Sequence, residues 1–114
     1  MLARVLVSGF VLLAGMDASA QARHRAIEGT VLYKGGEPAN RAAVQLEDEV
    51  TLQVVSRMTD ADGHYHFDGL NPDRDYEVIA TKGNLWSKSH RVSRFSSRPV
   101  ETVVLYLAPA HAAR

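Results

Sequence analysis

The chain has 114 residues, in which 13 Lys and Arg side chains balance 13 Asp and Glu side chains, and it has no cysteine. This length accommodates one domain. The absence of cysteine excludes disulfides, thiol chemistry and a lipid-modified cysteine, and the zero net charge gives no bias towards nucleic acid, which we do not expect as a partner.

Residues 1–22, "MLARVLVSGFVLLAGMDASAQA", predict a signal peptide. Arg4 precedes an apolar run that is about half of the ~20 residues a membrane-spanning helix needs, and small residues fit cleavage after Ala20 or Ala22. We therefore expect a signal-peptide helix, no membrane span after its cleavage, and a secreted or periplasmic protein.

After this leader the sequence pattern is β throughout. Period-two alternation and turn residues predict seven strands, at 26–33, 42–48, 51–59, 64–70, 75–83, 85–93 and 100–108. Such spacing indicates an all-β sandwich or barrel over residues 23–108, with a disordered tail at 109–114. The first, fifth and last strands are expected in central positions because they are the most apolar, and the polar 85–93 segment is expected at an edge.

The stretch "TDADGHYHFDGL" (59–70) has the pattern of a β-hairpin. Asp62-Gly63 is a strong turn pair, because glycine accepts a positive φ angle at no steric cost. Alternation along the following strand then places Tyr65 and Phe67 on the core face. The sequence predicts that this stretch serves the fold.

The same alternation turns His64 and His66 outwards, and these histidines are the candidate metal ligands. An EF-hand is excluded, because Asp60 and Asp62 lack the remaining ligands at the required spacing. Two histidines on one strand face fall short of the three or four ligands that protein zinc sites usually have. A metal site at His64 and His66 therefore stays the alternative, and no cofactor is expected.

Several motifs in the chain belong to one family pattern. They are G-x-V in the first strand, a proline before the second, A-x-V-x-L within it, T-D-x-x-G-x-Y-x-F-x-x-L across the hairpin and P-x-x-x-Y-x-V after it. Over residues 27–107 the chain resembles the carboxypeptidase regulatory-like domain. The resemblance implies a stand-alone, exported, bacterial-type member with a seven-stranded antiparallel Greek-key β-sandwich, transthyretin-like or Ig-like. It also implies structural roles for Gly29, Val31, Pro38, Asp60, Asp62, Gly63, Tyr65, Phe67, Leu70 and Tyr76.

Two enzyme families of similar architecture have signatures that this chain lacks. Hydroxyisourate hydrolases end in Y-R-G-S, whereas Tyr106 is followed here by leucine and alanine. Intradiol dioxygenases hold iron with an H-x-H pair after R-P, whereas Arg98 and Pro99 are followed here by "VET". We therefore expect no catalytic residue.

The candidate contact segment is "KGNLWSKSHRVSRFSSRP" (82–99), which contains the only tryptophan of the chain. Aromatic and basic side chains on an edge strand suit a glycan, an anionic polymer or a partner strand. The alternative is that Trp86 and Phe95 cap the open end of the sandwich while the basic residues sit in water. The wider charge asymmetry indicates either an anion-facing patch or, as we expect, pairing of the basic residues of 78–100 with the acidic segment 47–77 on neighbouring strands. The candidate binding residues are Trp86, Lys88, His90, Arg91, Arg94 and Phe95.

The sequence thus predicts an exported, non-catalytic module for binding, docking or structural support in the cell envelope. Its expected partner is an envelope protein or a glycan, and it is expected to be a monomer or an edge-paired dimer. The alternative function is a small metal-binding protein or enzyme of transthyretin-like fold that uses His64 and His66.

Overall fold

A computed structural model describes residues 24–109, and the signal peptide predicted at 1–22 and residues 110–114 of the predicted tail lie outside the described part. Within residues 24–109 the chain forms eight β-strands. They are β1 (Arg25–Tyr33), β2 (Ala43–Asp48), β3 (Val54–Met58), β4 (His64–Leu70), β5 (Tyr76–Lys82), β6 (Leu85–Trp86), β7 (His90–Val92) and β8 (Val100–Pro109). The last strand thus includes Pro109, which the sequence assigned to the tail.

The strands form two layers that are joined along one side. One layer has the order β4-β1-β8, and the other has β3-β2-β5 with β7 and β6 beside β5. The short strand β6 joins them, because it pairs with both β5 and β8. The predicted all-β sandwich class is confirmed, and β1, β5 and β8 each lie between two neighbours, as expected from their apolar patterns.

Two details of the predicted sandwich are wrong. The 85–93 segment forms two strands, because Ser87 interrupts the ladder: its hydroxyl accepts a hydrogen bond from the Ala80 amide and donates one to the Lys88 carbonyl, at 2.9 Å each. The sandwich is also not entirely antiparallel, since β1 and β8 run parallel from Ala26 to Tyr33. Alternation in a sequence records which face a residue occupies, but not the direction of the partner strand.

The core lies between the two layers and follows the period-two pattern of their strands. Tyr65 and Phe67 of β4 are buried, while His64 and His66, which alternate with them along the strand, are exposed, as predicted. Leu70 packs at the margin of the core. The remaining buried apolar residues are Ile27, Val31, Ala39, Ala42, Val44, Leu46, Tyr76, Val78, Ala80, Val92, Val103, Leu105 and Leu107.

The alternation at 51–59 does not produce a buried face. Every residue of β3 is exposed, and Leu52 lies in the preceding turn with a φ angle of 63°. This strand ends its layer and pairs with β2 alone. The β-hairpin predicted at 59–70 is therefore wrong: the turn connects β3 to β4, which pairs with β1 in the other layer. On the inward side of β3, Arg57 places its guanidinium 5.8 Å from the ring centre of Phe67 and closes the core there.

Within residues 24–109, no helix is long and apolar enough to cross a membrane.

Candidate functional site

An open cleft of about 480 Å³ lies where the two layers join, between β8 and the segment from β6 to β7. The outward row of β8 forms its floor, because alternate residues of this strand turn away from the core. Trp86 pairs with Ala108 across β6 and β8, so its side chain adjoins the same outward row as Tyr106. The lining residues are Trp86, Lys88, Ser89, His90, Val104, Leu105, Tyr106 and Ala108.

The two aromatic residues of this cleft are largely open to solvent. Trp86 is 42% exposed and Tyr106 is 57% exposed, and Val104 beside them is 45% exposed. Lys88, Ser89 and His90 are also exposed and supply hydrogen-bonding groups at one side of the cleft. An apolar floor with a few polar groups at its side is the usual composition of a small-ligand site.

The buried residue Ser87 fixes the backbone that presents Trp86 and Lys88. Its amide donates to the Ala80 carbonyl at 2.9 Å, and its hydroxyl exchanges hydrogen bonds with Ala80 and Lys88. Since Ser87 is 3% exposed, these bonds are shielded from water. The residues on either side of it are therefore held by the rigid strand β5.

The structure brings only three of the predicted contact residues together. Trp86, Lys88 and His90 line the cleft. Arg91 instead bonds to Glu49 at 3.1 Å and to Asp75 at 2.9 Å. This pairing follows the expected alternative in which basic residues neutralise the acidic segment.

The other two predicted contact residues lie outside the cleft. Arg94 stacks on Phe95, with its guanidinium 4.9 Å from the ring centre, and its amide donates to Asp75. Phe95 is 82% exposed and Trp86 is 42% exposed, so neither ring caps the end of the sandwich.

Sequence reasoning did not single out Tyr106 and Ser89 as contact residues. Tyr106 alternates with the buried residues Leu105 and Leu107, so the period of β8 already placed an aromatic ring on the outer face. Its position in the same cleft as Trp86 depends on the pairing of β6 with β8, which a local sequence pattern does not encode.

His64 and His66 share the outer face of β4, but they have different neighbours. His64 lies with Asp60 and Asp62, and the ligand atoms of these three exposed residues are within 4.8 Å of one another. His66 contacts Glu28 at 3.3 Å and Asp68 at 3.6 Å.

A second open depression, of about 820 Å³, includes both histidines and is larger than the cleft. Among residues 24–109, the only aromatic ring that lines it, apart from the histidines, is that of Tyr65, which is 4% exposed. The Tyr65 hydroxyl donates to the Val103 carbonyl at 2.7 Å, and burial raises its pKa. This depression therefore offers polar groups but no accessible aromatic face.

The family-pattern residues of the 59–70 stretch act inside the fold. Asp60 accepts hydrogen bonds from the amides of His64 and Asp62, at 2.9 Å each, as expected of an Asx turn. The bond from His64 contributes most to a lowered pKa for this carboxyl. Gly63 has a φ angle of 77°, which fits the predicted turn. The Tyr76 hydroxyl accepts a hydrogen bond from the Asn71 amide at 3.0 Å.

Gly29 and Pro38 have equally local roles. A Cβ atom on Gly29 would lie 1.7 Å from the Val103 carbonyl oxygen, so only glycine fits beneath β8. Val31 follows it in the buried row of β1. Pro38 forms an isolated bridge with Leu32 and thereby folds the loop before β2 back onto β1.

Comparison with known proteins gives the family. Residues 26–107 match the model of the carboxypeptidase regulatory-like domain. The chain belongs to this family, whose members are regulatory β-sandwich domains. No curated protein is significantly similar to the chain in sequence.

Solved structures with the same fold include proteins of different kinds. A Pseudomonas aeruginosa protein described as a candidate carbohydrate-binding protein is 15% identical, with a TM-score of 0.54 over 73% of this chain and 88% of that one. The dioxygenase domain of a dioxygenase and carbohydrate-binding protein fusion from Streptomyces sp. SirexAA-E is 16% identical, with a TM-score of 0.55 over 77% and 81%. Catechol 1,2-dioxygenase from Acinetobacter sp. ADP1 is 9% identical, with a TM-score of 0.55 over 80% and 54%. At these identities the likeness shows the fold alone.

Proposed function

We propose that the protein is an exported, non-catalytic module that binds a saccharide of the cell envelope in the cleft of Trp86 and Tyr106. The observation that carries the proposal is the joint exposure of these two rings in one cleft, at 42% and 57%. Export is proposed on the leader pattern of residues 1–22.

The chemistry of the cleft suits a sugar ring. A pyranose has a C–H face that packs on an aromatic ring, and hydroxyl groups at its edge that need hydrogen-bonding partners. Trp86 and Tyr106 offer the apolar platform, and Lys88, Ser89 and His90 offer donors and acceptors beside it. An open cleft on a strand surface also suits a polymer, because a chain of sugars can continue past both ends.

A protein of the same fold from Pseudomonas aeruginosa is described as a candidate carbohydrate-binding protein, so this ligand class is compatible with the fold. A non-catalytic role agrees with membership of a family of regulatory domains. For a saccharide the cleft is preferred to the His64 and His66 face, because Tyr65, the aromatic residue that the described part of the chain places there beside the histidines, is only 4% exposed.

The test is titration calorimetry of the purified protein with glucose, galactose, mannose and N-acetylglucosamine oligosaccharides. We expect saturable binding of at least one series, and about tenfold weaker binding by Trp86→Ala and by Tyr106→Ala, because each loses a stacking surface.

Phe95→Ala is the matched control, since Phe95 is 82% exposed but lies outside the cleft, and this variant should bind as the wild type does. Equal affinity of the wild type and the two cleft variants, or no binding by the wild type, would contradict the proposal.

A further inference from the structure

Arg25 is a buried cation whose guanidinium has no hydrogen-bonding partner in the described part of the chain. It begins β1 and belongs to the inward row of that strand, which continues with Ile27. Its side chain is 3% exposed, as deep as the apolar residues around it. Within residues 24–109, none of the guanidinium nitrogens Nε, Nη1 and Nη2 has a hydrogen-bonding partner.

The nearest carboxylate only partly compensates this charge. Glu101 Oε1 lies 4.0 Å from Arg25 Nη2, which is too far for a hydrogen bond. The same oxygen accepts a hydrogen bond from the Ser96 hydroxyl. Burying a charge is strongly unfavourable unless it is both paired and hydrogen-bonded. The Arg25 guanidinium has a carboxylate at 4.0 Å but no acceptor for its parallel N–H groups.

A small depression of about 170 Å³ opens directly at this arginine. It lies at the start of β8, whereas the saccharide cleft is lined by the other end of that strand. Arg98 and Ser97 at its rim are exposed and have donor groups, and His24 adds an imidazole. The full lining is His24, Arg25, Pro72, Ser96, Ser97, Arg98 and Pro99.

We propose that this depression is a second ligand site, which binds a small oxyanion through the guanidinium of Arg25. Carboxylate, sulfate and phosphate groups share the required chemistry, since each presents two oxygens that match the two parallel N–H bonds of an arginine fork. Arg98 adds a second positive charge at the mouth of the depression, and the Ser97 hydroxyl adds a donor. The ligand supplies the acceptor that Glu101 does not.

The experiment titrates the purified protein with sodium acetate, sodium sulfate and sodium phosphate in separate arms, at constant ionic strength held with sodium chloride. Backbone amide shifts in NMR spectra report on binding. We expect saturable shifts of the amides at 24–26 and 96–101 with at least one anion, and the responding arm identifies the oxyanion class.

Arg25→Met keeps an unbranched apolar stem and removes the charged guanidinium, so it should bind at least about tenfold more weakly. Arg25→Lys should fall between the two, because an ammonium group is attracted to the anion but cannot form the bidentate pair. Arg98→Met at the rim should weaken binding several-fold and tests the site without altering the core. Arg94→Met, outside the depression, is the control and should bind as the wild type does.

The proposal fails if the wild type shows no saturable shift with any of the three anions. It also fails if folded Arg25→Met or Arg98→Met binds with wild-type affinity.

Discussion

The 59–70 stretch and the Trp86 cleft are both rich in aromatic and polar side chains, but they differ in where those groups make their bonds. In the 59–70 stretch, the Tyr65 hydroxyl donates to the Val103 carbonyl and the Asp60 carboxylate accepts two amides of its own turn. In the cleft, the rings of Trp86 and Tyr106 face solvent.

This difference distinguishes side chains that stabilise the fold from side chains that are available to bind a ligand. Side chains whose bonding groups are used internally explain why the chain folds, and their substitution should lower stability. Exposed aromatic side chains that gather in one cleft are not required by the fold, and their substitution should affect binding alone. The most recognisable motif of the sequence is therefore the part that says least about the ligand.

The largest effect on the structural side is expected for Gly29→Ala. The added Cβ would lie 1.7 Å from the backbone oxygen of Val103, so β1 and β8 must separate. We expect a loss of about 3 kcal/mol in the free energy of unfolding, measured by denaturant titration. Gly35→Ala is the control: its Cβ would meet only the flexible side chain of Glu37, and it should change stability by less than about 0.5 kcal/mol. A Gly29→Ala protein of wild-type stability would contradict the close approach of these strands.

A smaller loss is expected for Thr59→Val, which keeps the side-chain shape and removes the hydroxyl. This buried hydroxyl donates to the Ala39 carbonyl at 2.6 Å and accepts from the Ala42 amide at 2.8 Å. Two buried backbone groups would lose their partner, so we expect a loss of about 2 kcal/mol in the free energy of unfolding.

Thr51→Val is the matched control for this substitution, because the Thr51 hydroxyl accepts one exposed amide bond at 3.3 Å. Equal stability of the two variants would show that the hydrogen bonds of the Thr59 hydroxyl do not stabilise the fold.

The smallest effect is expected for the surface carboxylates beside Arg91. The amide of Arg94 and then the charges of Arg91 and Arg94 lower the pKa of Asp75 below its ordinary value of 3.8. A lowered pKa stabilises the fold above the unfolded-state value and loses this contribution as pH falls through the folded-state value. Asp75→Asn should therefore have a lower melting temperature than the wild type at pH 7. As the pH is lowered below about 4, the melting temperature of the variant should fall less than that of the wild type.

Glu37→Gln, an exposed loop substitution away from this cluster, is the control and should melt as the wild type does throughout this pH range. Parallel pH profiles for the wild type and Asp75→Asn would contradict the role of Asp75.

The turn at Asp62-Gly63 and the faces of the strand after it were predictable because their determinants are local, whereas the predicted hairpin was wrong because strand pairing is not local: β3 pairs with β2 and β4 pairs with β1. Turn chemistry placed Gly63, and period-two alternation placed Tyr65 and Phe67 in the core. The cleft was predictable only in part: Trp86 was a candidate, but Tyr106 comes to line the same cleft through the pairing of β6 with β8.

The burial of Arg25 was not predictable either. From sequence, a charged residue next to the leader is expected on the surface, whereas the structure brings Pro72 and the 96–99 segment, both distant in sequence, against Arg25. Local patterns assign faces to residues, whereas tertiary pairing decides which faces meet.

The central claim is most directly tested by the fluorescence of Trp86, because the chain contains a single tryptophan. At 42% exposure, its emission should be quenched readily by acrylamide in the free protein. Addition of an oligosaccharide that binds in the cleft should protect Trp86 from acrylamide quenching in a saturable manner. Phe95→Ala should respond as the wild type does. Quenching that stays unchanged across the glucose, galactose, mannose and N-acetylglucosamine series would contradict the account.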